Sequence, residues 1–391
     1  RGTANMNMKN NTMNYPVFLR CCYGYAVSGM SVLVVGAVLP SLIREAGLSY
    51  ALAGGLLSMM AIGNLFASLF FPAMVSAIGK RMAITIMASI VPCSYLVLTF
   101  LPGIPVMYLI MALVGVARGS ITIINNATVN EISNNSNKMV NLLHCSFAVG
   151  AFLAPFLTAL LSYAGFTWKS IMYVIIALCV TSTLSYATME YPSDGREKKH
   201  QNLSEKHAFL KSFDFYCIGF VLFFYLGVEN CINGWFVTYL QSTGIMTETF
   251  ATTMVSFTWL VIMAGRLVCA SLSKHYSKIV LMNAIGSGIC FFILISSSWL
   301  PVITVALLGF GFFLAGIYPG CIANAGPIIG GSTMGMSVLT AISAMGGIIT
   351  PQLVGSAADR IGLVAAIGIL SVNVIVVIVL SAINFRRLRQ R

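Results

Sequence analysis

The sequence predicts an all-α integral membrane protein in which twelve transmembrane helices form two pseudo-symmetric bundles of six. Three observations support this fold class. The 391 residues are 58% hydrophobic and only 8% charged, whereas a soluble domain carries about 25% charged residues. Apolar runs of about 20 residues, long enough to span a bilayer, follow one another along the chain. One long polar segment separates the first six runs from the last six.

The apolar runs give the boundaries of the predicted helices. Ser49 precedes the second run and Ser332 the eleventh, and either hydroxyl can cap the helix that follows it. The runs lie at 15–42, 50–77, 82–101, 105–131, 138–162, 169–188, 214–240, 248–273, 277–299, 302–328, 333–357 and 363–385. We divide the chain into a tail (1–14), a first bundle (15–188), a linker (189–213), a second bundle (214–385) and a basic tail (386–391).

Lysine and arginine fall mainly on one predicted side of the membrane: in both tails, in the linker and in alternate loops. The opposite loops hold only Arg44, Lys169 and Arg360. By the positive-inside rule, both termini and the linker are cytoplasmic. We therefore expect a multi-pass protein of the plasma membrane, a bacterial inner membrane, with the lipid bilayer as its surroundings.

The two predicted bundles contain an internal repeat. At an offset of 196 residues, residues that shape helices coincide, and a duplicated six-helix unit explains the coincidences economically. The coinciding pairs are Gly115 and Gly311, Ser136 and Ser332, Gly150 and Gly346, Pro155 and Pro351, and Leu157 and Leu353.

Several classes of function find no support in the sequence. The basic residues, 22 against 10 acidic ones, flank apolar runs, so no nucleic-acid partner is expected. The ten cysteines show no metal-binding spacing. The motifs of nucleotide-driven pumps, zinc proteases and serine hydrolases are not found. We expect neither an enzyme nor a bound metal or cofactor.

Glu229 is an acidic residue near the middle of the seventh run. A carboxylate at that depth costs roughly 2.5–3.5 kcal/mol on insertion scales and usually faces a cavity or an opposite charge. Tyr225, Glu229 and Asn233 recur every four residues and therefore share one helical face. Glu229 either carries a coupling proton or contacts a solute, or it is locked in an ion pair or holds a backbone break beside Gly234.

Arg118 is the other charged residue placed centrally, in the fourth run. Thr122, Asn125 and Asn126 share its face at i+4, i+7 and i+8. Arginine keeps its proton, so Arg118 must be paired or hold an anion. It can contact the solute, pair with Glu229 at a similar depth, or serve local packing.

Arg266 and His144 are candidates for gating or for a second anion contact. Arg266 lies nearer the cytoplasmic end of the eighth run. It either braces an inner gate or faces the cavity, where with Arg118 it would favour a solute that bears a carboxylate. His144 is either a packing residue or a proton carrier.

Three further residues are candidates for contacts with a solute. Tyr318 and Asn324 in the tenth run can donate and accept hydrogen bonds. Trp235 provides either a stacking platform for a sugar or part of an aromatic belt at the membrane interface.

The chain combines two sets of six apolar runs, a basic segment between them and three local motifs. The motifs lie at Gly36-Ala-Val-Leu-Pro-Ser-Leu42 with 47–49 and 54–58, at 142–155 and at 346–362. They resemble the first two, the fifth and the eleventh helices of the major facilitator superfamily, and the resemblance covers nearly the whole chain from Tyr15. It implies the major facilitator fold, in which helices one, four, seven and ten surround a central cavity. Arg118 and Glu229 would then share one space.

Within that superfamily, the His144 pattern and the run from Tyr225 to Tyr239, Tyr-x-Gly-x-Glu and then Gly-Trp-x-x-x-Tyr, resemble the fucose–proton symporters and their sugar-transporting relatives. The chain departs from their pattern in two places. The segment 119–130 contains no carboxylate, and Ser76 stands where the superfamily carries an aspartate between helices two and three.

The resemblance implies secondary active transport by alternating access. We expect proton-coupled symport of a small polar organic solute, sugar-like, by a monomer. Glu229 would be the proton site, and sodium is the alternative coupling ion. Two other hypotheses stay open: an organic-anion exchanger or multidrug effluxer, and a transporter-like receptor that does not cycle.

Overall fold

The computed structural model describes residues 14–133, 137–191, 208–271, 276–329 and 333–389. Within these ranges twelve helices are long and apolar enough to cross a membrane. They are α1 (Tyr15–Ala46), α2 (Tyr50–Ile78), α3 (Lys80–Leu98), α4 (Ile104–Ile132), α5 (Asn137–Tyr163), α6 (Trp168–Ala187), α7 (Phe213–Ser242), α8 (Glu248–Ser271), α9 (Tyr276–Ser296), α10 (Leu300–Leu314 and Ile317–Ile329), α11 (Thr333–Ile361) and α12 (Leu363–Ala366 and Leu370–Arg389). The predicted tail 1–13, most of the predicted linker and the Ser332 cap lie outside the described residues.

The turn between α1 and α2 shows how local chemistry sets the helix ends. Gly47 has φ 61°, a left-handed conformation that costs glycine little and ends α1. Two residues later, the Ser49 hydroxyl accepts a hydrogen bond from the Leu52 amide at 3.3 Å. The predicted cap of the second helix is therefore confirmed.

The carboxyl-terminal helix extends further than the apolar run predicts. The run ends at 385, but α12 continues to Arg389. The Arg387 guanidinium lies 2.7 Å from the buried carboxylate of Asp214 and 4.7 Å from the centre of the Phe213 ring. Because these contacts pair the positive charge at the end of α12 with α7, the helix continues past the end of the hydrophobic run.

The helices form two halves, α1–α6 and α7–α12, with matching internal contacts. A Cβ at Gly150 of α5 would overlap the carbonyl oxygen of Ala26 in α1. A Cβ at Gly346 of α11 would likewise overlap the carbonyl oxygen of Phe223 in α7. The two glycines are one of the pairs found at the offset of 196 residues, so the sequence repeat corresponds to a repeated packing contact.

The halves join at one face of the molecule. We call the face where α1 begins and α12 ends the terminal face, and the opposite one the distal face. Arg44 of α1 and Glu248 of α8 form an ion pair of 2.8 Å at the distal face. The described hydrogen bonds between the halves, along α2–α11 and α5–α8, also lie in the distal half of the molecule. The described residues therefore show halves that are closed at the distal face.

Candidate functional site

An ion pair lies at mid-depth between α7 and α8. Nη2 of Arg266 is 3.7 Å from Oε1 of Glu229, and the two side chains are 31% and 16% exposed. Neither charge is therefore sealed in helix packing. The sequence left two positions open for Arg266: an inner gate nearer the cytoplasm, or the cavity. In the structure its guanidinium lies beside Glu229. The long arginine side chain places the charge well away from the depth of its own Cα.

Arg118 is a second guanidinium near this ion pair, contributed by α4 of the first half. Its guanidinium carbon is 5.8 Å from the centre of the Phe147 ring, and it lies within electrostatic range of Glu229 and Tyr25. Among the described residues, Arg266 and not Arg118 forms the ion pair with Glu229. The cluster thus holds two guanidinium groups and one carboxylate.

Tyrosine rings surround these charges from both halves. Tyr225 is 2% exposed and its hydroxyl interacts with both Arg266 and Glu229. Its ring centre is 6.1 Å from that of Tyr318 on α10. Tyr25 of α1 interacts with Thr122 and with both arginines. The site therefore offers phenolic hydroxyls and aromatic faces around one ion pair.

A polar ladder runs along α4 from Arg118 toward the terminal face. The Thr122 hydroxyl donates to the Arg118 carbonyl at 3.0 Å, and Nδ2 of Asn126 donates to the Thr122 carbonyl at 2.9 Å. Oδ1 of Asn126 lies 3.1 Å from Nε2 of His144 on α5, and His144 is within electrostatic range of Arg266. We call the charged cluster, the tyrosines around it and this ladder the central site. Its residues are Glu229, Arg266, Arg118, Phe147, Tyr25, Tyr225, Tyr318, Thr122, Asn126 and His144.

Asn233 and Arg118 line a small cavity. It has a volume of about 20 Å³ between α1, α2, α4 and α7, which is room for about one water molecule. Oδ1 of Asn233 is buried and has no hydrogen-bond partner among the described residues. Asn233 thus lies beside Arg118, one helical turn beyond Glu229 toward the distal face.

Two of the predicted residues face elsewhere. Asn125 is fully buried and donates a hydrogen bond of 2.8 Å to the Tyr186 hydroxyl on α6. Around the α4 axis Asn125 lies about 20° from Arg118 but about 100° from Asn126, so it stands at the edge of that face, where its amide reaches α6. The Trp235 indole is fully buried and donates to the Pro351 carbonyl of α11 at 3.1 Å. Asn324 is half-buried on the second segment of α10.

Comparison with known proteins decides the family. The model of the Major Facilitator Superfamily matches residues 21–326. The chain belongs to this superfamily. A glucose/galactose transporter of Brucella abortus is 24% identical over 196 residues, which are 49% of this chain and 47% of that protein. The chain thus aligns with about half the length of this curated relative.

Solved structures of the same fold come from several transporters. A D-xylose–proton symporter superposes with a TM-score of 0.79 at 13% identity, over 95% of this chain and 97% of the other. A D323A mutant of the nucleoside transporter NupG gives 0.77 at 12% identity, over 95% and 98%. At these identities the likeness shows the shared fold. This superfamily member is accordingly a multi-pass membrane protein with the family and fold of transporters.

Three residues of this superfamily member escaped the sequence analysis. Tyr25 lies in an apolar run with no charge to mark it, and Phe147 carries no polar group. Asn230 shares the small cavity with Arg118 and donates to the Gly347 carbonyl at 3.1 Å. That carbonyl lacks its helical donor because Pro351, four residues later, has no N–H. A proline inside a predicted helix therefore signals a free carbonyl that needs a donor from another helix, and Asn230 is that donor.

Proposed function

We propose that this transporter moves a small polar organic solute, sugar-like, by alternating access and in symport with protons, without a cofactor. The observation that carries the proposal is the Glu229–Arg266 ion pair, which is partly exposed at mid-depth and surrounded by residues of both halves. Placing two charges at that depth in a membrane costs free energy. A role in coupling would explain why the protein carries them there.

The chemistry of the central site supports a sugar-like solute. Tyr25, Tyr225 and Thr122 provide hydroxyls that can donate and accept hydrogen bonds, and Phe147 and Tyr318 provide aromatic faces. The name of the Brucella relative, a glucose/galactose transporter, agrees with this class of solute.

Glu229 can link a proton to the solute through Arg266. Protonation removes the charge that holds the guanidinium at 3.7 Å, so proton binding and the ion pair compete. A freed Arg266 can donate hydrogen bonds to a solute hydroxyl. Reciprocity then requires that the solute change proton affinity by the same factor as the proton changes solute affinity. Sodium in place of the proton would have to be held by the same carboxylate.

Organic-anion exchange is the second candidate function. The specific observation in its favour is the excess of positive charge in the central site, with Arg118 and Arg266 against Glu229. A solute carboxylate between two guanidinium groups would form charge-assisted hydrogen bonds. Counterflow of carboxylates without dependence on a pH gradient would favour this candidate over symport.

The basic loops support an orientation for the transport cycle. We place the terminal face in the cytoplasm of a bacterial inner membrane, with the protein acting as a monomer. The described closure at the distal face then corresponds to a state that opens inward.

The test combines a solute screen with uptake measurements in proteoliposomes. Thermal stabilisation across a solute library selects the solute, with Arg118→Ala expected to lose the stabilisation. We then expect Glu229→Gln to abolish uptake driven by a pH gradient and to retain solute exchange, because the amide cannot release a proton. Glu45→Gln, the same chemical change at an exposed residue of the distal face, should retain driven uptake. Unchanged driven uptake in Glu229→Gln would contradict the coupling role.

A further inference from the structure

The carboxylate of Asp359 binds the beginning of a helix in the other half of the molecule. Asp359 lies near the end of α11, at the distal face. Its Oδ1 accepts a hydrogen bond from the Tyr50 amide at 2.7 Å, and its Oδ2 accepts one from the Ala51 amide at 3.0 Å. Both donors are the first residues of α2. A negative charge at this position also interacts favourably with the helix dipole.

The amides of Tyr50, Ala51 and Leu52 at the start of α2 have no partner within the helix and need other acceptors. The Ser49 hydroxyl accepts from Leu52 at 3.3 Å, while the Ala53 amide makes the first regular helical bond, to the Ser49 carbonyl at 3.0 Å. The acceptors for Tyr50 and Ala51 come from Asp359. The cap of α2 is thus complete only when the two halves touch at the distal face.

The backbone around this contact is shaped for close approach. A Cβ at Gly54 of α2 would lie 2.7 Å from the Pro351 carbonyl oxygen, and a Cβ at Gly355 of α11 would overlap the Tyr50 carbonyl oxygen. Nε2 of Gln352 donates to the Ala51 carbonyl at 3.3 Å. Asp359 itself is exposed, and its carboxylate reaches α2 at the edge of this closely fitted surface.

The duplicated half has no equivalent of this carboxylate. At the offset of 196 residues, Asp359 corresponds to Tyr163 at the end of α5, whose side chain is 85% exposed. We call the two helix pairs that join the halves, α2–α11 and α5–α8, the two seams. The repeat reproduces the helices of both seams but not Asp359, so among the described residues this contact belongs to the α2–α11 seam.

We propose that Asp359 is a latch between the halves, which favours the conformation closed at the distal face by completing the cap of α2. Opening that face breaks the two hydrogen bonds and leaves the Tyr50 and Ala51 amides without their acceptor. The latch therefore stabilises one state of the transporter relative to the other. The inference rests on the alternating access of the proposed function, but not on the identity of the solute or the coupling ion.

Hydrogen–deuterium exchange of the full chain in nanodiscs, followed by mass spectrometry, tests the latch. In Asp359→Asn we expect exchange at the distal face to rise in both seams, at residues 50–58 and at residues 250–258, by roughly fivefold or more. Residues 118–130 and 318–328, toward the terminal face, should exchange more slowly because the other state closes there. The change at 250–258 matters most, since α8 does not touch Asp359.

Three variants give the controls. Asp359→Glu keeps the carboxylate and should remain close to the unmodified protein, and Glu45→Gln removes a carboxylate from the same face without effect. If Asp359→Asn does not fold, Gln352→Leu probes the same contact surface. Faster exchange confined to 50–53 would overturn the latch, because it would indicate a local cap and no change of state. Absence of pH-driven uptake in the unmodified protein would instead overturn the proposed function and leave the exchange result in place.

Discussion

The two seams between the halves share a contact and differ in their charges. In the α2–α11 seam the Ser58 hydroxyl donates to the Ile348 carbonyl at 2.6 Å, and in the α5–α8 seam the Ser256 hydroxyl donates to the Phe152 carbonyl at 2.6 Å. The donors are 198 residues apart and the acceptors 196, so the bonds are equivalents in the repeat. Among the described residues, only the α2–α11 seam adds a carboxylate of one half that accepts hydrogen bonds from the first amides of a helix in the other half.

The comparison shows which contacts a duplicated unit keeps. A serine hydroxyl that meets a carbonyl depends on how closely two helices approach, and both seams have the same geometry. The ionic contacts follow no such constraint. The α5–α8 side instead has the Arg44–Glu248 ion pair, with side chains 55% and 30% exposed. The two seams therefore share their helix packing and differ in their ionic contacts.

The largest effect is expected from added bulk in one of the two seams. Gly54→Val should oppose closure at the distal face, because its Cβ would already lie 2.7 Å from the Pro351 carbonyl oxygen. Overpacking costs about 1–3 kcal/mol, which shifts a two-state equilibrium by roughly 5- to 150-fold. Solute uptake in proteoliposomes should fall accordingly. Gly368→Val, where a Cβ meets no atom within 4 Å, should leave uptake unchanged; equal losses in both variants would indicate general destabilisation.

Removal of the two serine hydroxyls tests the equivalence of the seams. Ser58→Ala and Ser256→Ala should each cost about 0.5–1.5 kcal/mol, the net value of one hydrogen bond. The two losses should be similar and should add in the double variant, since the sites share no partner. The measurement is the thermal midpoint with and without bound solute. A loss limited to one serine would show that the seams are energetically unequal even where their geometry matches.

The smallest effect is expected at the exposed ion pair. Arg44→Ala should change the distal closure by about 0–1 kcal/mol, and the change should shrink as salt is added. Exchange at residues 248–256 between low and high salt measures it. An effect that is large or independent of salt would mean that the pair is desolvated within the closed face.

The sequence predicted most of the fold because length and hydropathy decide it. A chain in a bilayer must satisfy its backbone hydrogen bonds internally, so a run of about 20 apolar residues has few alternatives to a helix. The observed helices differ from the predicted ones in two places. Polar residues continue α12 past the apolar run, as at Arg387, and α10 is interrupted between Leu314 and Ile317 although the run is apolar throughout.

The central site was predictable in its charges and in several polar residues that share their helical faces, among them Thr122, Asn126 and Tyr225. Glu229 and Arg118 were visible because a charge in an apolar run is rare. Asn125 was assigned to the face of Arg118 by helical periodicity, but it lies at the edge of that face and bonds to Tyr186. Tyr25 and Phe147 carry no such signal, since tyrosine and phenylalanine are common throughout the chain.

By itself, the sequence determined the twelve helices, their division into six and six, and the presence of mid-membrane charges, because each depends on composition within one segment. Only the tertiary structure decided that Arg266 is the partner of Glu229 and that Asp359 caps a helix more than 300 residues away in sequence. Such pairings depend on how helices rotate and approach one another, and side chains that are distant along the chain meet only after the halves have packed.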